Sequence, residues 1–260
     1  MLVYMGLGLV TGLLAGMLGI GGGSVIVPGL FLVFTNQSLA PGLAMRLAIG
    51  TSLGSVLFTS LVATRAQHKR GAIDWPVATT LGLAALLGSL ASGYLAGFLS
   101  GRVLKSAFGV FLGFVGLQIM FDWRPAGHWR LPARPLLFAV GLLIGAVSAL
   151  LGIGGGSLTV PFLTACRVEM RRAIAISATL GVPIAFFGAG GLIWSGLHHP
   201  GLPLGTVGYI DLPALAALTG VAVLVVPFGV GLAHRLPVAQ LRRIFGGFLV
   251  VVAIQMITLS

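Results

Sequence analysis

The sequence predicts an all-α polytopic membrane protein made of two inverted repeats, each a broken re-entrant helical hairpin plus three transmembrane helices. Three observations lead there: scarce charge, eight long apolar runs and an internal repeat. Of 260 residues, 57% are hydrophobic and 7% charged, and mean hydropathy is +1.10. A soluble domain carries about 25% charged residues. The 15 Lys+Arg and 4 Asp+Glu here cannot cover a water-facing surface of this size, which disfavours a soluble enzyme. A net charge of +11 would suggest nucleic acid in a soluble chain. Here the basic residues fall between apolar runs, where they set orientation in a bilayer. A lipid bilayer is therefore the expected partner, and nucleic acid is not.

A spanning helix needs about 20 apolar residues. Runs free of acidic and basic side chains cover 2–34, 47–64, 75–101, 106–121, 135–166, 173–197, 212–233 and 244–260. The first and fifth exceed one span, and glycine clusters interrupt both. Element by element, the reading is a broken helix over 2–34, then spans at about 44–64, 75–100 and 103–121. A polar, Pro-rich linker follows at 123–134. The second half has a broken helix over 135–165, then spans at about 171–196, 211–233 and 239–259. No basic region precedes the first run, so it is expected to stay in the mature chain and not to be cleaved as a signal peptide.

The repeat fixes two halves, 1–122 and 135–260. GLLAGMLGIGGGSVIVPGLF, from Gly12, matches GAVSALLGIGGGSLTVPFLT, from Gly145, at an offset of 133. Met45-Arg46, Ala48-Ile49 and Ser52 match Met170-Arg171, Ala173-Ile174 and Ser177. From Asp74/Asp211 to Gln118/Gln255 the offset is 137 without a gap. If the first segment of each half crossed fully, the halves would be parallel. If it is a re-entrant hairpin, they are inverted. Cytoplasmic loops are rich in Lys and Arg. The inverted arrangement places 12 basic residues on one side and 3 (Arg46, Arg102, Lys105) on the other, whereas the parallel one gives 9 against 6. The inverted arrangement is preferred. It puts the linker in the cytoplasm and both termini and the His198-His199 loop outside.

The doubled G-x-L-G-I-G-G-G-S-x-x-x-P motif, the four-segment halves and the Met-Arg-x-Ala-Ile run resemble the sulfite exporter TauE/SafE family, over essentially the whole chain. The resemblance implies a permease of the bacterial inner membrane. It implies movement of sulfur-containing anions such as sulfite, sulfoacetate or related organosulfonates. Members differ in substrate, so the family does not name the molecule moved.

The residues themselves agree with a small anionic substrate. Each glycine costs a helix about 1 kcal/mol against alanine, so Gly19–Ser24 and Gly152–Ser157 should break theirs. Paired breaks at matching places in two halves point to a transporter site. Irregular backbone at membrane depth must be buried in protein or face a water-filled cavity. The expected binding residues are Gly19, Gly21, Gly22, Gly23, Ser24, Gly152, Gly154, Gly155, Gly156, Ser157 and Thr159. Ser24 and Ser157 can cap new half-helices, whose free N–H groups and positive dipole ends suit an anion. The alternative is that the glycines only allow close helix packing.

Thr51, Ser52, Ser177 and Thr179 either face the same cavity or bond back to their own helices. Arg46 and Arg171 are candidates for gating or vestibule roles, against ordinary interfacial anchoring. Asp74 and Asp211 precede X-Pro at helix starts and read as caps. Gln118 and Gln255 read as interfacial or interhelical hydrogen bonders. Cys166 beside Arg167 is either a reactive thiolate or, preferably, a buried thiol.

No Asp, Glu, His, Lys or Arg falls inside an apolar core, so a side-chain proton relay, a metal site and a Ser-His-Asp constellation all lack their parts. GIGGGS lacks the Lys-Ser/Thr of a phosphate loop. No cofactor, no metal and no enzymatic activity are expected. The predicted function is secondary transport, with export favoured, by alternating access around the two breaks. The rivals are an anion channel of the same architecture, a transporter of another small anion, and a membrane assembly partner without transport. Glycine-rich helix faces permit a homodimer.

Overall fold

The computed structural model describes residues 2–18, 22–37, 39–121, 130–197, 199, 201–232 and 238–258. Its helices are α1 (Leu2–Leu18), α2 (Gly23–Asn36), α3 (Pro41–Lys69), α4 (Trp75–Ala96), α5 (Gly101–Met120), α6 (Arg134–Leu150), α7 (Gly156–Ala165), α8 (Met170–Gly196), α9 (Leu212–Leu232) and α10 (Val238–Thr258). Five among the described residues are long and apolar enough to cross a membrane: α3, α4, α5, α8 and Leu212–Gly229 of α9. The fold is that of an all-α multi-pass membrane protein with one addition. Strands β1 (Thr206–Val207) and β2 (Ile210–Asp211) pair antiparallel in the α8–α9 connection. Gly19, Gly21, His198, Arg124, Arg235 and linker residues 122–129 lie outside the described residues.

The helix limits follow local chemistry. Asp74 caps α4, its Oδ1 accepting from the Val77 N–H at 3.4 Å. Asp211 does the same for α9, accepting from Ala214 N–H at 2.8 Å. Both are the expected caps, with Pro76 and Pro213 in the first turn. Ser100 Oγ accepts from Val103 N–H at 3.3 Å, which starts α5 at Gly101 and ends the preceding span earlier than expected. α3 overruns its expected 44–64 range at both ends. Its 29 residues rise about 43 Å at 1.5 Å each, more than the roughly 30 Å of hydrocarbon. Arg65, His68 and Lys69 mark where the helix leaves the apolar layer, and charge does not end a helix.

Glycines set the seams between helices. A Cβ added at Gly12 would meet the Ala222 carbonyl oxygen at 2.7 Å, and one at Gly141 would meet that of Leu81 at 2.8 Å. At Gly8 and Gly145 it would run into the carbonyls of Leu218 and Ala85. Under the sequence offsets of 133 and 137, these are two contacts made twice. Both registers advance together, so α1 runs parallel to α9 and α6 parallel to α4. α5 and α10 are antiparallel. A Cβ at Gly109 would lie 3.5 Å from the Ala253 oxygen, and one at Gly116 would lie 2.9 Å from that of Gly246. α3 and α8 are antiparallel too, Leu53 lying beside Gly188 and Ser60 beside Gly181.

α1 and α2 form a hairpin. Tyr4 Oη accepts from Gln37 Nε2 at 3.2 Å, Leu7 packs on Gly29, and Thr11 lies nearest Gly22 at the tip. The perimeter carries exposed Leu83, Phe114, Phe186, Leu224 and Phe228. Such a belt would be an aggregation liability in water; facing hydrocarbon, it is the expected surface.

Candidate functional site

The two half-helices α2 and α7 start in the same way. Their N-cap residues, Gly22 (φ 61°) and Gly155 (φ 77°), are left-handed. That conformation costs an L-residue roughly 1–2 kcal/mol and a glycine nothing comparable. Neither helix has a side-chain cap. This corrects the expectation that Ser24 and Ser157 cap α2 and α7. The left-handed glycine makes the turn, and each serine sits at the second helical position. The first turn closes on the glycine carbonyl: Val25 and Ile26 donate to Gly22 O, both at 3.0 Å, and Leu158 and Thr159 to Gly155 O at 3.1 and 2.9 Å.

The described parts of the two breaks touch. A Cβ at Gly23 would lie 2.5 Å from Gly152 O and 2.9 Å from Ile153 Cα. Gly152 is also enclosed by Val27 and by the backbone of Ile49. Ser52 Oγ, from α3, donates to Gly152 O at 2.7 Å. At this second break, none of the backbone hydrogen bonds among the described residues uses the N–H groups of Gly154, Gly155, Gly156 or Ser157. They lie where the positive end of the α7 dipole falls.

Around the breaks lie hydroxyls without partners. Ser24 Oγ, Ser157 Oγ and Thr159 Oγ1 are buried and bond to nothing among the described residues. So are Ser55 Oγ and Ser148 Oγ, two residues that the sequence reading did not select. Ser55 lies one helical turn beyond Ser52, and Ser148 one turn before the Gly152 break. That i, i+3 spacing and that adjacency were the available signals. Each orphaned hydroxyl costs about 1–3 kcal/mol when buried. Apart from Tyr4, Tyr209 and Cys166, every buried side chain with a polar group among the described residues is a serine or a threonine.

The remaining selected residues divide. Ser177 is buried. Thr51 is also buried, but its Oγ1 is occupied, accepting from the Asp211 N–H at 3.0 Å. Half-buried Thr179 bonds back to Ala175 O at 3.0 Å, the ordinary helical alternative. Arg46 and Arg171 match in sequence but not in surroundings. Arg171 is exposed. Half-buried Arg46 donates to Leu99 O at 2.9 Å and Tyr209 Oη at 3.3 Å. Cys166 is a free, buried thiol whose pKa burial pushes up, which favours the inert reading over the thiolate one.

The chain as a whole has relatives. The family described as "Sulfite exporter TauE/SafE" matches residues 4–256. The chain belongs to that family. A probable membrane transporter protein of Haemophilus influenzae is 33% identical over 250 residues, covering 96% of this chain and 95% of the relative. A probable membrane transporter protein of Methanocaldococcus jannaschii is 30% identical over 209 residues, covering 79% and 76%. A third, YunE of Bacillus subtilis, is 30% identical over 174 residues, covering 60% and 64%. No solved structure matches. This TauE/SafE protein is thus a multi-pass membrane transporter by family and by fold.

Proposed function

We propose that the protein is a secondary transporter, working as an exporter, of a small sulfur-containing anion such as sulfite or an organosulfonate. It acts in the bacterial inner membrane by alternating access around the two glycine breaks. The observation that carries the reading is the contact of Gly23 with Gly152, beside which the chain places the orphaned hydroxyls of Ser24 and Ser157 and N–H groups without a backbone acceptor among the described residues. Donors without fixed charge suit an oxyanion that must be released again, since a buried cation would hold it too firmly. The family's description as sulfite exporters supports the sulfur chemistry and the export direction. The binding set is Gly19, Gly21, Gly22, Gly23, Ser24, Ser52, Gly152, Gly154, Gly155, Gly156, Ser157 and Thr159, with Ser177 as a further lining hydroxyl.

The halves are read as inverted, with each hairpin re-entrant. Two facts support this: repeat-matched α3 and α8 run antiparallel, as do α5 and α10, and α1 folds back on α2. The 12-to-3 charge bias then puts the linker in the cytoplasm and both termini outside.

Labelled sulfite and isethionate flux into proteoliposomes, with and without a pH gradient, tests the function. Saturable flux with counterflow is expected, and Ser24→Trp and Ser157→Trp should each abolish it. Non-saturating flux without counterflow would make the protein a channel, and full activity in both tryptophan variants would remove the midplane site. For topology, Leu204 is fully exposed. Leu204→Cys in a Cys166→Ser background should react with an impermeant maleimide from outside; labelling from the cytoplasm alone would reject the orientation.

A further inference from the structure

The end of the helix bundle carrying Arg46 holds a second cluster, built from three chain segments. Arg46 of α3 donates from Nη2 to Leu99 O in the α4–α5 connection at 2.9 Å. Its Nη1 reaches Tyr209 Oη at 3.3 Å and lies 3.5 Å from His199 Nε2. The guanidinium carbon stands 5.5 Å from the Tyr209 ring centroid, and the His199 and Tyr209 rings are 5.6 Å apart. Tyr209 is 1% exposed, so the cluster is walled on that side.

The hydrogen bookkeeping is informative. A guanidinium only donates, so His199 Nε2 faces Arg46 as an acceptor and the imidazole proton sits on Nδ1. Among the described residues His199 Nδ1 is buried without a partner, and so is Arg46 Nε. Two buried N–H donors on adjacent side chains therefore lack an acceptor. Among the described residues no carboxylate pairs with either side chain. Asp211, the acid of the same connection, is spent on capping α9. Lys105, at the start of α5, lies over the Phe31 ring, and Arg102 is exposed.

We propose that Arg46, His199 and Tyr209 form an entrance site for a small oxyanion, and that the anion binds there together with a proton on His199. Without an anion, protonating His199 turns Nε2 from acceptor into donor, so its 3.5 Å contact with Arg46 Nη1 is lost and two cations stand side by side. With an anion accepting from Arg46 Nε and His199 Nδ1, the second positive charge becomes favourable. Proton and anion binding then strengthen each other by the same factor. The site supplies a titratable group to a transport path whose apolar core has none. It rests on the transport reading only in being called an entrance.

The test uses the full-length protein in detergent and sodium methanesulfonate, a monoanion throughout the range, against sodium chloride at equal ionic strength. The readouts are the apparent Kd from thermal shift at pH 6 and pH 8, and proton uptake on mixing in weak buffer. Binding should be about tenfold tighter at pH 6, with net proton uptake near neutrality. His199→Gln should abolish both the pH dependence and the uptake while the protein still melts cooperatively. Arg46→Lys, which keeps the charge but not Nε, should weaken binding at both pH values. Ser157→Trp should abolish flux and leave this binding intact.

An apparent Kd equal at pH 6 and pH 8, or pH-linked uptake surviving in His199→Gln, overturns the proposal. Loss of binding in Ser157→Trp would do so as well, by assigning the anion to the midplane. Absence of saturable flux with the pH-linked binding present would instead reject the transport reading and leave this site standing.

Discussion

Adjacent glycines at the first break should fail for different reasons when replaced. Gly22 has φ 61°, and a Cβ there would meet nothing closer than 3.6 Å. Its replacement by alanine costs only the left-handed backbone, about 1–2 kcal/mol. Gly23 is helical, and its Cβ would lie 2.5 Å from Gly152 O. Carbon–oxygen contacts normally sit at 3.3–3.6 Å, so α2 and the second break must part by roughly 0.8 Å. Such overpacking costs about 1–3 kcal/mol. If Gly152 is the partner that yields, the 2.7 Å bond from Ser52 is lost as well, adding about 1–3 kcal/mol for the buried groups left unpaired. Alanine's better helix propensity returns at most about 1 kcal/mol. Alanine alone does not separate the two positions, but asparagine does. It tolerates the left-handed region, so Gly22→Asn should be less harmful than Gly22→Ala. At Gly23 the larger side chain meets the same carbonyl, so Gly23→Asn should be worse than Gly23→Ala. Thermal unfolding in detergent reads this as shifts of about 2–4 °C per kcal/mol, with flux measured in parallel. The same Ala/Asn order at both positions would falsify the assignment of strain to one glycine and contact to the other.

Ser52→Ala should lower stability by about 1–3 kcal/mol, because Gly152 O loses a 2.7 Å donor in a buried place; an unchanged melting temperature would mean that the carbonyl finds another partner. Asp211→Ala should cost about 1 kcal/mol and Asp74→Ala less, since their cap bonds are 2.8 and 3.4 Å; equal losses in thermal unfolding would contradict that ranking. Burial pushes the Cys166 thiol up, so its thiolate fraction lies below that of an exposed cysteine at every pH up to its own titration. Maleimide labelling at pH 7 should therefore be slow in the folded protein and fast after denaturation, and rapid labelling of the native state would count against it.

Local chemistry was the legible part of this fold. Asp-X-Pro marked two helix starts, and the glycine runs marked two breaks, because caps and breaks depend on a few consecutive residues. The cap residue itself was misread. A serine after three glycines looks like an N-cap, yet the left-handed backbone that only glycine takes cheaply moved the cap to Gly22 and Gly155. The overrun of α3 was hidden because apolarity reports where lipid ends and not where helix ends. Long-range pairing was the least legible. Arg46 finds partners 53 and 163 residues away, and nothing in its own neighbourhood separates it from exposed Arg171. The β1–β2 turn, which places Tyr209, falls in a stretch that reads only as loop.

Where the halves agree and where they differ follows one division. The glycine seams recur: Gly8 and Gly12 on α9 are matched by Gly141 and Gly145 on α4. The ends do not recur. Five residues join α3 to α4, whereas fifteen, including β1 and β2, join α8 to α9. α2 has 14 residues and α7 only 10. On the transport reading, a seam packed at backbone distance cannot slide without collision, so α1 with α9 and α6 with α4 must move as units. Two such units related by the repeat can exchange conformations, which requires their seams to be alike. The ends face different media and different substrate concentrations, so nothing requires them to match. Arg46, tied to two other segments, makes its end the more expensive one to open. The opposite end, with a five-residue link and an exposed Arg171, lacks that restraint among the described residues. The resting protein should therefore favour access from the Arg171 side, which the proposed orientation puts in the cytoplasm. On the proposed export reading, that is the side from which the cargo is loaded.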